Sequence, residues 1–185
     1  NVCRIGRLCG IYFADSTKLA VCHNRRIHSN KVFKGKAARG KTSTGWFYGL
    51  KLFLVINAFG EIMNAFLTMA NVADNHLVTM IKLFSKLKGW AFADKGFINQ
   101  KAVEELLSKG LHLITGIRRN MKNKLVLMEQ KILLQKRGVI ESVNDILKTV
   151  CDIEHTRHRS PINALVNLYA GLCSYTFLDR LPSIF

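Results

Sequence analysis

The sequence predicts an α/β domain with a mixed sheet, three antiparallel strands followed by two parallel ones, flanked by helices and ending in a helical C-terminal part. Three observations predict it. Up to about Thr68 the apolar residues fall in extended blocks bounded by turns. From Asp74 to Thr115 helical spacing alternates with short apolar runs, and beyond about Leu125 only helical spacing remains.

The first extended region runs from about Gly10 to Cys22, and within it Tyr12-Phe13-Ala14 leads straight into Asp15-Ser16-Thr17. A carboxylate at the edge of a core is costly without a cation or hydrogen bonds, so Asp15 calls for a partner. Residues 23–49 then carry Arg25, Arg26, Lys31, Lys34, Lys36, Arg39 and Lys41 with no acid, and end in Thr42-Ser43-Thr44-Gly45. They read as a basic insertion loop suited to phosphate contacts. Strands near Trp46 to Ile56 and Glu61 to Thr68 flank the turn Asn57-Ala58-Phe59-Gly60 and form a hairpin. That reading is preferred to a membrane span for the weakly charged stretch 52–73.

Asp74 or Asn75 is expected to cap a helix whose apolar face is Leu77, Met80, Ile81, Phe84 and Leu87. A short strand from Trp90 to Ala93 ends at Asp94, and Gly96 permits a tight turn. Asn99 caps the next helix, with Val103, Leu106 and Leu107 facing inward and Gly110 stopping it, and Leu111 to Thr115 reads as a buried strand. A second acid-free basic cluster follows, Arg118, Arg119, Lys122 and Lys124. A helical stretch covers Leu125 to Leu134, and a further helix begins near Arg137 with Val139, Ile140, Val143, Ile146, Leu147 and Val150 as its apolar stripe and Glu141 at the stripe's edge. His155 to Arg159 is a polar joint. Ser160-Pro161 starts a last helix that is apolar almost all round and is expected to be well buried.

With 185 residues, 49% of them hydrophobic, the chain can bury one core, and residues 1–185 are read as a single domain. Asn1 in place of an initiator Met suggests a piece of a longer protein. Twenty-eight Lys and Arg against 12 Asp and Glu leave a charge of +16, which suits nucleic acid or an anionic membrane. Five cysteines without a Cys-x-x-Cys pair argue against a disulfide framework or a zinc ribbon, and fit a reducing cytosol.

Phosphodiester cleavage needs an activated water or hydroxyl and stabilisation of the leaving oxygen, and two metal ions supply both. Mg²⁺ needs only a few carboxylates, because water and phosphate complete its shell. Asp15, Asp94 and Glu141, on two strand ends and a packed helix, have that composition. Taken singly, each also reads as a turn, capping or solvated acid. Cys151, His155 and His158 form a rival set with zinc-ligand spacing but no evident fourth ligand.

Longer phrases carry a resemblance: Asp15-Ser16-Thr17, Val21 to His28, Lys31-Val32-Phe33 into Ala38 to Ser43, Ala93 to Phe97, Leu113-Ile114-Thr115, Arg119 to Lys124, and His155 to Ser160. From about Ile11 to Leu181 the chain resembles the DDE domain of bacterial insertion-sequence transposases, the group called family nine-eighty-two. Arg137, Glu141 and Lys148 match a related signature of Tyr, two residues, Arg, three residues, Glu, six residues, Lys. The resemblance implies a ribonuclease-H-like fold in which Asp15, Asp94 and Glu141 are catalytic and hold two Mg²⁺ or Mn²⁺ ions. It also implies cleavage of transposon-end DNA and attack of the freed 3′-hydroxyl on target DNA. Arg25, Arg26, Lys34, Lys41, Arg118, Arg119, Lys122, Lys124, Arg137 and Lys148 would contact double-stranded DNA, with Trp46 or Phe47 as stacking groups. A homodimer on DNA is implied, nucleoid-associated in a bacterial cytoplasm, with neither a membrane nor a small-molecule substrate. Leu134 stands where the signature has Tyr, Phe53 for a His, Ala70 for a Gly and Phe97 for a Tyr. The alternative is therefore a catalytically inactive remnant that acts only as a basic DNA-binding protein.

Overall fold

Every strand that will carry an acid begins with residues that must be buried on both faces. Tyr12, Phe13 and Ala14, like Ala91, Phe92 and Ala93, are almost wholly shielded from solvent, the pattern expected of sheet strands covered on both sides. The computed structural model describes residues 6–116, 127–155 and 158–185.

Among these residues the strands are β1 (Ile11–Cys22), β2 (Ala38–Thr42), β3 (Gly45–Asn57), β4 (Ile62–Met69), β5 (Gly89–Ala93) and β6 (Leu111–Thr115). The helices are α1 (Leu77–Leu83), α2 (Gln100–Ser108), α3 (Met128–Gln135), α4 (Val139–Thr149) and α5 (Pro161–Tyr175). The sheet runs β2-β3-β1-β5-β6, with β4 also paired to β3. β1, β3 and β4 are antiparallel neighbours, while β5 joins β1 in parallel and β6 joins β5 in parallel. This is the predicted mixed α/β arrangement, and parallel pairing follows because helical crossovers return the chain to the same end of the sheet.

Side chains alternate across the sheet. Tyr12, Ala14, Phe53, Val55, Ala91 and Ala93 pack with Met80, Leu83, Phe84 and Leu106 of α1 and α2. Phe13, Leu54, Ile56 and Phe92 pack on the other face with Ile140, Val143 and Leu147 of α4 and Leu168 and Tyr175 of α5. Tyr175 closes that layer by donating its hydroxyl to the Gly60 carbonyl in the β3–β4 turn, at 2.8 Å.

Several expectations need correction. Residues 23–49 are not one loop: Asn24–Arg26 form a 3-10 turn, and β2 pairs with Gly45–Gly49 through a two-residue turn at Ser43-Thr44. The extended start of β3 offers β2 an unpaired edge, and the basic residues of β2 point into solvent beside it. Neither Asp74 nor Asn75 caps α1; His76 does, its Nδ1 accepting from the Thr79 N–H. Asp74 is instead engaged by Lys51 Nζ at 3.0 Å and Ser16 Oγ at 2.8 Å. Leu107 is 49% exposed, because α2 meets the sheet through Ala102 and Leu106. Val150 is 66% exposed because α4 ends before it.

The last helix is likewise not buried all round. Leu168, Gly171, Leu172 and Tyr175 face the core, but no layer among the described residues covers the opposite stripe of Ile162, Val166 and Tyr169. The Ser160 hydroxyl caps it as expected, accepting from the Ile162 and Asn163 N–H groups, and Asn99 caps α2. Among the described residues no helix is long and apolar enough to cross a membrane.

Gly49 lies where β3 is flanked by both β1 and β2, beside the irregularity in β1 between Ala20 and Cys22. A Cβ there would collide with the Leu19 carbonyl, a backbone atom that cannot swing aside. Gly49→Ala is therefore expected to cost more than about 2 kcal/mol of stability by urea unfolding. A loss of only a few tenths would show that the two strands separate easily at this point.

Candidate active site

β1 extends seven residues past Asp15, but its parallel neighbour does not follow. The β1–β5 pairing stops at Ala14 with Ala93, so Asp15 and Asp94 are the next residues on two adjacent strands. Asp94 keeps an extended backbone (φ −73°, ψ 166°), so the alternation of faces continues through it. Phe13 and Phe92, two residues earlier on each strand, contact each other with ring centroids 5.8 Å apart on the α4 face. Asp15 and Asp94 therefore project towards the same side, at the edge where β5 leaves β1 for the turn at Lys95–Phe97. The open edge at the carboxyl ends of parallel strands is where ligands bind in sheets of this kind.

The third acid arrives on α4. Ile140, Val143 and Leu147 seat this helix on the sheet, which leaves Glu141 in its first turn, exposed and at the rim. An acid there is favoured by the helix dipole. Glu141 Oε1 accepts from Arg137 Nη2 at 3.0 Å. One turn further along α4, Asn144 donates from Nδ2 to Asp15 Oδ2 at 3.2 Å. Among the described residues, no three His, Cys, Asp or Glu side chains stand close enough to hold a metal ion. That applies to the three acids and equally to Cys151, His155 and His158, although the two imidazole rings lie 4.8 Å apart.

Electrostatics nevertheless join the acids. The Asp15 carboxyl is raised to about 6: burial pushes it up most and Glu141 and Asp94 add to the rise, while the Ser16 backbone N–H and Arg137 oppose it. A desolvated carboxylate beside two others is short of positive charge, and hard cations relieve that deficit. The donors are hard oxygens of the kind a divalent ion takes, but among the described residues they are not gathered closely enough to hold one.

The basic residues fall into three groups. Arg25, Arg26, Lys34 and Lys41 are exposed, and Lys41 Nζ lies 5.7 Å from the ring centroid of Trp46. Trp46 is 62% exposed, whereas Phe47 belongs to the core. Arg26, Lys31 and His158 line a hollow of about 390 Å³ together with Cys22, Ser29, Asn30 and Val32. Arg137 and Lys148 are engaged, the first by Glu141 and the second by Glu154 at 3.1 Å. Arg118, Arg119, Lys122 and Lys124 lie outside the described residues.

Two of the departures from the transposase pattern meet: Phe53 and Phe97 pack edge to face at 6.1 Å. The two positions at which the resemblance implies a His and a Tyr thus form an apolar pair in the α1–α2 layer, away from the α4 face. Leu134 packs at the margin of the α4 layer, and Ala70 is buried against Gly40.

Sequence reasoning missed Asn144 and the Ser16–Asp74–Lys51 group. Asn144 did carry a signal: a polar residue on the Ile140-Val143-Leu147 stripe, three positions after Glu141. Asp74 gave none, because a cap and a cross-strand partner look alike in sequence.

The raised Asp15 carboxyl has a consequence for stability. In the native state it holds its proton between its ordinary 3.8 and about 6, where the unfolded chain has already lost it. Its contribution is full below about 4 and is lost as pH rises through about 6. In EDTA, Asp15→Asn is expected to stabilise the protein by about 2–3 kcal/mol near pH 7.5, and to change little near pH 3.5. Urea unfolding at the two pH values checks this; equal effects at both would refute it.

Residues 5–161 match the family described as "Transposase DDE domain". Among solved structures, a chain of the piggyBac transposase synaptic complex with hairpin DNA superposes with TM-score 0.55 at 9% identity, over 89% of this chain and 45% of that one. A chain of the simian T-cell lymphotropic virus intasome in complex with PP2A regulatory subunit B56 gamma gives TM-score 0.52 at 16% identity, over 96% and 52%. The chain thus spans about half the length of each, and at these identities the likeness concerns the fold. No curated protein matches it in sequence. The mixed sheet, with acids where β1 and β5 part, and the match over most of its length make this chain a member of the transposase DDE domain family, with a ribonuclease-H-like fold.

Proposed function

We propose that the chain is the catalytic domain of a DNA transposase, which cuts DNA at transposon ends and joins the freed 3′-hydroxyl to target DNA. The observation that carries this reading is that Asp15 and Asp94 are the first residues past the β1–β5 pairing, where β1 outruns β5, in a member of the DDE family. Asp15, Asp94 and Glu141 would hold two Mg²⁺ or Mn²⁺ ions. Such ions activate the attacking oxygen and stabilise the leaving one.

The chain's own residues divide the remaining work. Asp15 and Asp94 supply oxygens from the rigid sheet. Glu141 is held by Arg137 at the helix start, so its carboxylate would exchange that partner for the site when DNA phosphate offers Arg137 another. Arg25, Arg26, Lys34 and Lys41 lie exposed on the segment between β1 and β3 and would grip the DNA backbone. Trp46 beside Lys41 presents an aromatic face for a base. Arg118, Arg119, Lys122, Lys124 and Lys148 are assigned to the same backbone contacts, in a homodimer that brings two DNA ends together.

A second reading is a catalytically inactive, basic DNA-binding protein. The Arg137–Glu141 pair and the absence, among the described residues, of three acids within metal-holding distance favour it.

Cleavage of transposon-end DNA separates the two. Asp15→Asn, Asp94→Asn and Glu141→Gln are each expected to lower Mn²⁺-dependent cutting by at least about a thousandfold, with DNA affinity equal or higher. Salt-sensitive binding without any metal-dependent nicking by the unaltered protein would establish the second reading instead.

Replacing Arg25, Arg26, Lys34 and Lys41 together by Ala should flatten the dependence of log affinity on log salt by roughly 3–4. An unchanged slope would place the DNA on another surface.

A further inference from the structure

Among the described residues, one buried side-chain polar atom has no partner: Oδ1 of Asn144. The fold can satisfy a buried amide elsewhere. Asn57, also buried, donates from Nδ2 to the Arg7 carbonyl and to Glu61 Oε2, and accepts at Oδ1 from the Phe59 and Glu61 N–H groups. Asn144 is only 6% exposed, and lies among Ile140, Val143 and Leu147 on the face of α4 that meets the sheet. A leucine would fill such a position without leaving an acceptor unmet, an omission that costs free energy. What the asparagine adds is its contact, Nδ2 to Asp15 Oδ2 at 3.2 Å. The donor end must face the carboxylate, since the reverse orientation would set two oxygens against each other.

We propose that Asn144 is a positioning residue of the active site: its amide holds the Asp15 carboxylate in one orientation and ties β1, which carries the first acid, to α4, which carries Glu141. Its free Oδ1 is left to accept a hydrogen bond from a water that enters with a cation. Partners of this outer kind commonly set metal affinity without touching the ion. The part of the inference that concerns metal rests on the two-ion reading above; the Asn144–Asp15 contact does not.

Two measurements test it. In the metal-free, ¹⁵N-labelled protein, the Asn144 side-chain amide protons should exchange slowly with solvent, and should shift when Asp15 is changed to Ala. Calorimetric titration with Mn²⁺ alone should show affinity reduced roughly 10- to 100-fold in Asn144→Leu, with a urea midpoint no lower than that of the unaltered protein. Asn144→Ser serves the same purpose if the leucine disturbs packing. Amide signals indifferent to Asp15→Ala would overturn the proposal, as would unaltered Mn²⁺ affinity in both Asn144 variants. If the unaltered protein binds no Mn²⁺, the two-ion reading fails by itself and the amide signals decide the role of Asn144.

Discussion

The rest of the structure depends on the pairing of β1 with two neighbours of opposite direction. Its antiparallel partner β3 accompanies it almost end to end, from Tyr12 with Asn57 to Cys22 with Tyr48. Its parallel partner β5 runs beside it only from Ile11 to Ala14. The mismatch in length opens a gap in the sheet at one level, and Asp15 and Asp94 are the first side chains past it. Four paired residues, three of them buried on each strand, thus determine where the acids can be.

That gap is held from both sides. On the α1–α2 face, Ser16 and Lys51 meet Asp74, and Lys51 also donates to the Val72 carbonyl at 2.8 Å. The Lys51 side chain is only 12% exposed, and its ammonium is met by a carboxylate and a carbonyl. Gly96 lies close enough to Asp74 that a Cβ would press on its carboxylate, which brings the turn after Asp94 against this same group. On the α4 face, Ile140, Val143 and Leu147 set the depth of the helix. Asp15 itself points to the α4 side, where Asn144 meets it, and is desolvated by burial.

Charge is distributed with the same economy. Only 12 acids stand against 28 lysines and arginines, and several acids are committed: Glu61 to Arg7 and Asn57, Glu154 to Lys148 and the Ala20 N–H, Asp74 to Lys51. Burial works against Glu61, but the Arg7 N–H, the Asn57 amide and the Arg7 guanidinium outweigh it and hold its carboxyl below the usual range. Burial outweighs what Ser16, Asn144 and Arg137 offer Asp15 among the described residues, so its carboxyl moves the other way. Most of the bases between β1 and β3 are left without acids near them in sequence, and project into solvent as a positive field.

Much of the fold was legible because its signals are short-range. Alternation and apolar runs marked β1 and β3 to β6, Asn99 and Ser160 announced their helices by capping chemistry, and Gly60 and Gly110, at φ +76° and +85°, stopped their elements. The acids could be named for the same reason, as polar residues ending or edging apolar patterns. What tertiary structure decided is which distant groups meet. The edge that recruits β2, Asp74 reaching Lys51 instead of capping α1, and the outer face of α5 left uncovered all depend on neighbours that local pattern does not specify. Asn144 shows this most clearly: its place on a buried stripe is written in helical spacing, but its partner lies 129 residues away. The sequence by itself determined the elements and the residue types at their ends, because propensity and periodicity act within a few residues. Only the packed sheet and helices decided the contacts among those ends, because register and burial are properties of the whole assembly.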